Sequence, residues 1–302
     1  MSRRPYSAFT DALGISDSAF SLLRDLIEQR LGVYYDDAKR DLLADKLSQV
    51  VARHDMQSFL DYYYALKYDD TAADLWVELA NTLAVPETYF WRQPDQIEAV
   101  AQVLVPAHFE HSSSTLRIWS AACCSGEEPL SIAMALAETN AFARGPIEIL
   151  ASDASAAMVE RARRGIYGER SFRNLPLELR QRYFTEGSTG WQVSRDLHER
   201  ITWQTRNLLS IDQIRALPPV DIVFCRNVFI YFSDAAIERV AQAMSEVIPV
   251  GGMLFLGSAE SLTRLNTRFS LEEIGKAFVY VNRADGEMAG PGGNELRAAW
   301  PA

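Results

Sequence analysis

One stretch of the chain, Leu116 to Pro129, constrains the fold more than any other. Its sequence, LRIWSAACCSGEEP, begins as an apolar run, passes through small residues and ends where two carboxylates open a helical pattern. A buried strand, a tight loop and a helix N-terminus in this order are typical of an α/β sheet that binds a nucleotide-like cofactor. The stretch therefore predicts a Rossmann-like α/β domain with a cofactor site after its first strand.

The charge at this helix start restricts the cofactor. Free backbone N–H groups and the positive end of the helix dipole normally attract phosphate, but Glu127 and Glu128 would repel it. Gly126 is the only glycine in this loop, whereas dinucleotide-binding and ATP-binding loops need several, and the latter also a lysine. Both facts favour S-adenosylmethionine, which has an adenine, a ribose and a cationic sulfonium but no phosphate.

A second cofactor signal ends the next apolar run. Asp153 follows the run Ile147 to Ser152, and doubly wound folds hold a ribose with a carboxylate at about this distance, roughly 20 to 30 residues after the first turn. An aspartate at a strand end can equally cap the next helix. Taken alone, Asp153 leaves both interpretations open; together with the first loop, it favours ribose binding.

Polar residues also follow a third apolar run, Asp221 to Cys225. Arg226, Asn227 and Tyr231 come after it, where an open α/β sheet carries its chemistry. Structural roles are also open to two of them: Arg226 can pair with a carboxylate, and Tyr231 can be a core residue with its hydroxyl at the surface. The convergence of three loops at one sheet edge favours the functional interpretation.

Composition limits the possible partners. The chain has 302 residues, 48% of them hydrophobic, and a formal net charge of −10, which argues against a nucleic-acid partner. No apolar stretch approaches the roughly 20 residues of a membrane span, and the start of the chain lacks a signal-peptide pattern. The three cysteines have neither disulfide-framework nor metal-ligand spacing. We expect a cytoplasmic monomer without a metal, without nucleic acid and without direct membrane insertion.

The N-terminal part of the chain is predicted to be helical. Apolar residues between Ser16 and Val85 recur with the helical period, and Asp17 or Ser18 is the candidate cap of the first helix. Residues 1–85 are therefore expected to form an all-α domain.

Residues 86–284 show a different rhythm, in which strand-like and helical runs alternate from Leu116 onward. This alternation predicts a parallel sheet with helical crossovers. A Gly-Ser-Thr-Gly turn between aromatic residues predicts a small β insertion at about 168–203. Residues 285–302, rich in Gly and Pro, are expected to be a flexible tail.

These segments together resemble the CheR-type chemoreceptor methyltransferases, which methylate glutamate side chains of bacterial receptors. The similar segments follow the family order over nearly the whole chain: Glu87–Arg92, Trp119–Pro129, Ala151–Asp153, Ala162–Tyr167, Phe224–Phe232 and Gly252–Ser261. The resemblance implies an S-adenosylmethionine-dependent methyltransferase domain with an antiparallel last strand at Ala277–Val281. It also implies that the N-terminal domain docks the cytoplasmic helical domain of a chemoreceptor.

The resemblance assigns roles to individual residues. Cofactor binding would fall to Thr88, Arg92, Ala122, Glu128, Asp153, Asn207, Leu208, Arg226 and Asn227. Arg92 and Tyr231 would be nearest the chemistry, orienting the cofactor carboxylate and the incoming glutamate, and Phe90 or Trp91 could face the sulfonium. Pro86 stands where the family often has asparagine, so one polar cofactor contact is expected to be absent or replaced by backbone.

A basic stripe in the helical domain is the candidate docking surface. Lys39, Lys46 and Arg53 are spaced by seven residues, which places them on one helix face. The apolar residues left for the core are Leu42, Leu43, Leu47, Val50 and Val51. Spacing alone indicates a solvated face, whereas the resemblance favours docking of an acidic receptor helix.

The predicted reaction is in-line methyl transfer to a glutamate carboxylate. Because a glutamate with a pKa of about 4.3 is ionised at neutral pH, no general base is needed, and the enzyme aligns and desolvates the reactants. Two alternatives stay open. One is a small-molecule carboxyl or hydroxyl methyltransferase whose helical domain acts as a lid; the other is a cofactor-binding signalling module without catalysis.

Overall fold

Ser16 caps the first described helix. In the computed structural model, which describes residues 14–69, 72–83 and 87–284, the Ser16 hydroxyl accepts a hydrogen bond from Ala19 N at 3.2 Å and caps α1 (Asp17–Leu31). Ser16 is the cap, rather than the predicted Asp17 or Ser18, because its backbone is still extended while theirs is helical. Pro86 and the predicted tail at 285–302 lie outside the described residues.

Three more helices complete the described N-terminal bundle. A 3₁₀ turn (Asp37–Lys39) leads into α2 (Arg40–Arg53), which is followed by α3 (Phe59–Tyr68) and α4 (Ala72–Leu83). Their apolar faces share one core with α1, in which Phe20, Leu47 and Tyr62 are fully buried. Burial of such faces, more than intrinsic helix propensity, stabilises helices of this length.

The core face of α2 is narrower than its sequence predicts. Leu43, Leu47, Val50 and Val51 are fully buried, but Leu42, which was assigned to the core, is 49% exposed. The buried residues follow the i, i+4, i+7, i+8 pattern of one helix face, and Leu42 lies beyond its edge.

A seven-stranded sheet is the centre of the remaining chain. Its strands are β1 (Leu116–Ser120), β2 (Ile147–Asp153), β6 (Ile201–Thr205), β7 (Ile222–Cys225), β8 (Met253–Leu256), β9 (Phe269–Ile274) and β10 (Ala277–Asn282). Their order is β6-β2-β1-β7-β8-β10-β9. The first five strands are parallel, and β10 is antiparallel to β8 and β9. The predicted Rossmann-like α/β fold with an antiparallel last strand is confirmed.

Helices connect these strands and cover the sheet. They are α5 (Pro94–Ala99), a π-helical turn (Val100–Leu104), α6 (Val105–His111), α7 (Glu127–Glu138), α8 (Ala156–Arg164), α9 (Leu177–Tyr183), α10 (Arg195–His198), α11 (Ile211–Arg215) and α12 (Asp234–Val247). Every residue of β7 and β8 is buried, as is typical of parallel strands covered on both faces. No helix in the described ranges is both long and apolar enough to cross a membrane.

The β insertion is a three-stranded antiparallel sheet. Its strands β3 (Ile166–Tyr167), β4 (Phe184–Gly187) and β5 (Gly190–Val193) lie in the order β3-β5-β4. The insertion thus begins slightly before the predicted 168–203, because the residues directly after α8 already pair with β5. The end of that predicted range instead belongs to β6 of the large sheet.

The described chain separates into two units, residues 1–85 with 231–233 and residues 86–230 with 234–302. Each unit has its own hydrophobic core. The segment Tyr231–Ser233 belongs to the first unit through backbone pairing, since Tyr34 N donates to Tyr231 O at 2.8 Å and Val33 forms an antiparallel bridge with Phe232.

Candidate active site

The loops after β1, β2 and β7 meet because these strands are parallel neighbours. On one side of β1, Ala121 N donates to Phe224 O at 2.7 Å; on the other, Cys123 N donates to Ser152 O at 2.9 Å. β1 lies where the strand order changes direction, and ligands of open α/β sheets bind at the carboxyl ends of strands at such a point. The three predicted loops therefore share one sheet edge.

Glu128 and Arg226 form a buried ion pair at this edge. Arg226 Nε donates to Glu128 Oε2 at 2.6 Å, and their side chains are 2% and 12% exposed. Ser120 Oγ donates to the other Glu128 oxygen at 2.6 Å, while Arg226 Nη1 donates to Arg92 O at 2.8 Å and Gln96 Oε1 at 3.1 Å. The pair fixes the start of α7 against the loop after β7, and a role of Arg226 in cofactor binding stays a prediction.

Glu127 has a different environment from its neighbour. It is 1% exposed, and its carboxylate accepts hydrogen bonds from Ser125 Oγ and Ser171 Oγ, both at 2.8 Å. Burial raises the pKa of Glu127, and the two serine hydrogen bonds oppose this rise. The expectation that both carboxylates confront an incoming anion is wrong, because Glu127 is enclosed by protein and the charge of Glu128 is balanced by Arg226.

Asp153 joins the end of β2 to the loop after β1. Its Oδ2 accepts from Cys124 N and its Oδ1 from Ser155 N, both at 2.9 Å. Ser155, not Asp153, is the cap of α8, since its hydroxyl accepts from Met158 N. Burial raises the pKa of Asp153, whereas the two backbone hydrogen bonds lower it. Because a carboxylate oxygen can accept more than one hydrogen bond, Asp153 retains capacity for ribose hydroxyls.

Left-handed backbone is concentrated in the site loops. Trp91, Gln93, Cys124 and Asn227 have φ of 63°, 53°, 50° and 60°. Such conformations cost a non-glycine residue on the order of 1 to 3 kcal/mol, and they cluster at functional sites. Four of the residues with positive φ thus lie in the loops of the candidate site.

Asn227 has an unsatisfied acceptor. Its Oδ1 is buried and accepts no hydrogen bond from the described residues, which is costly for a buried polar atom. A ligand donor at this edge would remove that cost.

The remaining predicted cofactor residues lie in three segments. Arg92 Nη1 donates to Glu87 O at 3.0 Å, and its guanidinium lies 5.3 Å from the Tyr89 ring centroid; Thr88, half-buried, lies in the same segment. Ala122 belongs to the loop after β1. After β6, Asn207 Oδ1 accepts from Leu209 N at 3.0 Å, and Leu208 is buried.

Phe90 does not face the position where the cofactor sulfonium is expected. It is fully buried, with its ring centroid 4.8, 5.2 and 5.0 Å from those of Tyr167, Phe172 and Phe184. An aromatic ring enclosed by three others presents no face to a sulfonium. Trp91, which is half-buried, remains the candidate.

The second predicted catalytic residue, Tyr231, belongs to the first unit, whereas Arg92 belongs to the other. Tyr231 ends a 3₁₀ turn (Phe229–Tyr231). Burial, with a smaller contribution from the nearby Tyr231, raises the Tyr35 pKa to about 12. Its catalytic role stays a prediction.

The three predicted docking residues all have partners within the helical bundle. Lys39 pairs with Asp36 at 3.3 Å, Lys46 Nζ donates to Leu83 O at 3.3 Å, and Arg53 pairs with Glu78 at 2.9 Å. Burial lowers the Lys46 pKa. Lys39 lies in the 3₁₀ turn before α2, not within the helix as predicted.

Some residues of the site have no role in the sequence interpretation. Gln96 is buried, donates to Leu256 O at 2.8 Å and accepts from Arg226. Glu260 accepts hydrogen bonds from the loop after β7. The only signal for Gln96 is a polar residue beside the apolar Ile97; the signal for Glu260 is its place in a segment that resembles the family.

Comparison with known proteins identifies the class. Residues 86–278 match the family model described as CheR methyltransferase, SAM binding domain, and residues 18–84 match CheR methyltransferase, all-alpha domain. The chain therefore belongs to the CheR methyltransferase family and has the fold of an S-adenosylmethionine-dependent methyltransferase.

The relatives named as chemotaxis methyltransferases are similar over most of their length, whereas a biofilm-related one is matched over about half of its own. Chemotaxis protein methyltransferase 2 of Vibrio cholerae is 32% identical over 90% of this chain and 96% of its own. The chemotaxis protein methyltransferase of Escherichia coli is 32% identical over 87% of this chain and 91% of its own. A probable biofilm formation methyltransferase, WspC of Pseudomonas aeruginosa, is 34% identical over 69% of this chain and 49% of its own.

The residues of the site fit the hydroxyl and amino groups of S-adenosylmethionine. Asp153 and Asn227 supply acceptors for hydroxyl and amino hydrogens. Gly126, with φ of 97°, serves packing, because a Cβ there would lie 2.8 Å from the Trp203 ring. Packing against Trp203 therefore explains why this position is glycine, and no bound phosphate is needed to explain it.

Proposed function

We propose that this protein transfers a methyl group from S-adenosylmethionine to glutamate carboxylates of a bacterial chemoreceptor. The observation that carries the proposal is the meeting of Glu128, Asp153 and Asn227 at one sheet edge in a chain of the CheR methyltransferase family. The names of the relatives from Vibrio and Escherichia support a role in chemotaxis. The proposed substrate lies in the cytoplasm, on the helical domain of the receptor.

In this proposal, residues 86–284 form the methyltransferase domain and residues 1–85 dock the receptor. Thr88, Arg92, Ala122, Glu128, Asp153, Asn207, Leu208, Arg226 and Asn227 hold the cofactor, and Lys39, Lys46 and Arg53 contact the receptor. Arg226 acts mainly through Glu128, because its guanidinium group already binds Glu128 and the Arg92 carbonyl. Lys39 and Arg53 are both half-exposed and are therefore more available to an acidic helix than Lys46, which is partly buried.

The bound cofactor supplies an electrophilic methyl group on a cationic sulfur. The protein aligns this methyl group with the substrate carboxylate. The substrate carboxylate is ionised at neutral pH, so no residue has to remove a proton, and alignment and desolvation contribute on the order of several kcal/mol. Arg92 donates one hydrogen bond to the described residues, which leaves other guanidinium N–H groups to orient carboxylates. Tyr231 is the proposed second orienting residue.

Titration calorimetry of the full chain with S-adenosylmethionine and S-adenosylhomocysteine tests the cofactor site, and micromolar binding is expected. Transfer of a labelled methyl group to a receptor cytoplasmic fragment then tests the substrate. Label should enter the fragment as base-labile ester and disappear when the methylated glutamates are replaced by glutamine. Cofactor binding without transfer to any receptor fragment would contradict the proposed substrate.

A further inference from the structure

One carboxylate anchors the loop after β7. Glu260 Oε2 accepts from two backbone amides and Oε1 from three, at distances of 2.7, 2.6, 2.8, 2.7 and 3.4 Å for Asn227, Gly257, Val228, Phe229 and Ile230. Four of these amides are consecutive in sequence. The side chain therefore binds nearly the whole loop between Arg226 and the 3₁₀ turn.

The physical reason is the arrangement of the amides. The loop runs into the 3₁₀ turn Phe229–Tyr231, and the first N–H groups of a helical turn have no partner within it. Convergent backbone N–H groups form a concave site for an anion. Glu260 occupies that concavity, so a side chain from the segment after β8 supplies what a bound anion supplies elsewhere.

The anchored residue is the one with the unsatisfied acceptor. Asn227 is held at φ of 60°, a strained conformation for a non-glycine residue, and its Oδ1 accepts no hydrogen bond from the described residues. Its Nδ2 lies against Gly257, where a Cβ would come within 2.7 Å of both that atom and Glu260 Oε2. Glu260 thus holds the Asn227 backbone, and the missing side chain of Gly257 leaves room for the Asn227 amide group.

We infer that Glu260 is a positioning residue of the cofactor site, which acts by holding Asn227 in its strained conformation. This inference rests on the proposed function, since it concerns the same site. Both carboxylate oxygens of Glu260 accept hydrogen bonds from backbone amides, so Glu260 need not contact the cofactor.

The first test compares Glu260→Gln with the wild type in calorimetric titrations with S-adenosylhomocysteine. Glutamine keeps one acceptor oxygen but turns an NH₂ group towards amides that also donate, so affinity should fall about tenfold or more. Glu246→Gln is the matched control: it removes a carboxylate that also makes two hydrogen bonds, at 2.6 and 3.0 Å to Arg215, and should leave affinity unchanged. Circular dichroism establishes that each variant is folded.

A double-mutant cycle separates positioning from general destabilisation. If Glu260 acts through Asn227, Glu260→Gln should weaken binding much less in an Asn227→Ala background than in the wild type. Equal loss in both backgrounds would overturn the inference. Wild-type affinity in a folded Glu260→Gln chain would overturn it as well.

Gly257→Ala gives an independent test without a change in charge. Its methyl group displaces Asn227, so a similar loss of affinity is expected, and this variant decides the matter if Glu260→Gln does not fold. A folded Gly257→Ala chain with wild-type affinity would refute the inference. Failure of the wild type to bind either cofactor form would instead refute the proposed function, and the positioning role with it.

Discussion

At the scale of single residues, two adjacent glutamates at the start of α7 have different surroundings. Glu128 pairs with Arg226 at 2.6 Å. Glu127 is enclosed by protein, where two serine hydroxyls donate to it and burial raises its pKa. Because burial penalises the charged form, Glu127 stabilises the fold fully below its unfolded pKa, near 4.5. That contribution is lost as the pH rises through the raised folded pKa.

Glu127→Gln should therefore gain stability relative to the wild type as the pH rises from about 4.5 to 7.5. Urea unfolding of both proteins across this range measures the difference. Glu138→Gln is a control of opposite sign: hydrogen bonds from Tyr183 and Arg182 lower the Glu138 pKa, so its stabilising effect is present at neutral pH and is lost on acidification. A pH-independent difference for Glu127→Gln would contradict the assignment.

Arg92 is the residue expected to matter most for turnover and least for folding. Among the described residues it makes one hydrogen bond, to Glu87 O, and one aromatic contact, with Tyr89. Arg92→Ala should nearly abolish methyl transfer while the thermal melting temperature stays within a few degrees of wild type. Near-normal turnover in a receptor methylation assay would remove Arg92 from the mechanism.

At the scale of elements, Arg226 connects α7, the loop after β7 and the start of α5. Its partners come from two segments: Glu128 from the start of α7, and Gln96 with the Arg92 carbonyl from the start of α5. Removing one member of a buried pair leaves the other charge uncompensated, whereas replacing both with apolar residues is often neutral. The pair therefore specifies how these elements join more than it stabilises them.

Arg226→Met should lower the free energy of unfolding by about 3 to 5 kcal/mol. Glu128→Leu combined with Arg226→Met should recover much of that loss, measured by urea unfolding, while cofactor binding stays impaired. If the double variant is as unstable as the sum of the single ones, the hydrogen bonds to Gln96 and Arg92, rather than the charge pair, dominate.

At the scale of the whole molecule, an acidic protein of net charge −10 is proposed to bind an acidic receptor helix through a small basic surface. Long-range repulsion then opposes encounter, and local attraction from Lys39, Lys46 and Arg53 has to overcome it. A lid over a small-molecule site would not need such charges.

Lys39→Glu should raise KM for a receptor fragment several-fold, more at low than at high salt, with kcat and cofactor affinity unchanged. Lys276→Glu, at an exposed position between β9 and β10, makes the same change in net charge and is the control. Equal effects of the two variants would indicate a general charge effect and contradict a docking role for Lys39.

The α/β class, the helical N-terminal region, the three loops at one sheet edge and the resemblance to the family could all be predicted from the sequence. These features are local: a strand–loop–helix pattern or a helical period is contained within about 15 residues. Asp153 and Asn227 could be proposed in this way, because polar residues at the end of an apolar run are visible in the chain.

Only the folded structure shows which side chains of the site bind other groups of the protein. Glu128 meets Arg226 across 98 positions of sequence, Glu127 meets Ser171 across 44, and Glu260 meets Asn227 across 33. Adjacent glutamates have the same chemistry in a sequence, and they differ only in what packs against each. Burial and charge compensation depend on partners that the chain brings together by folding, so no local pattern separates Glu127 from Glu128 or gives Glu260 its role.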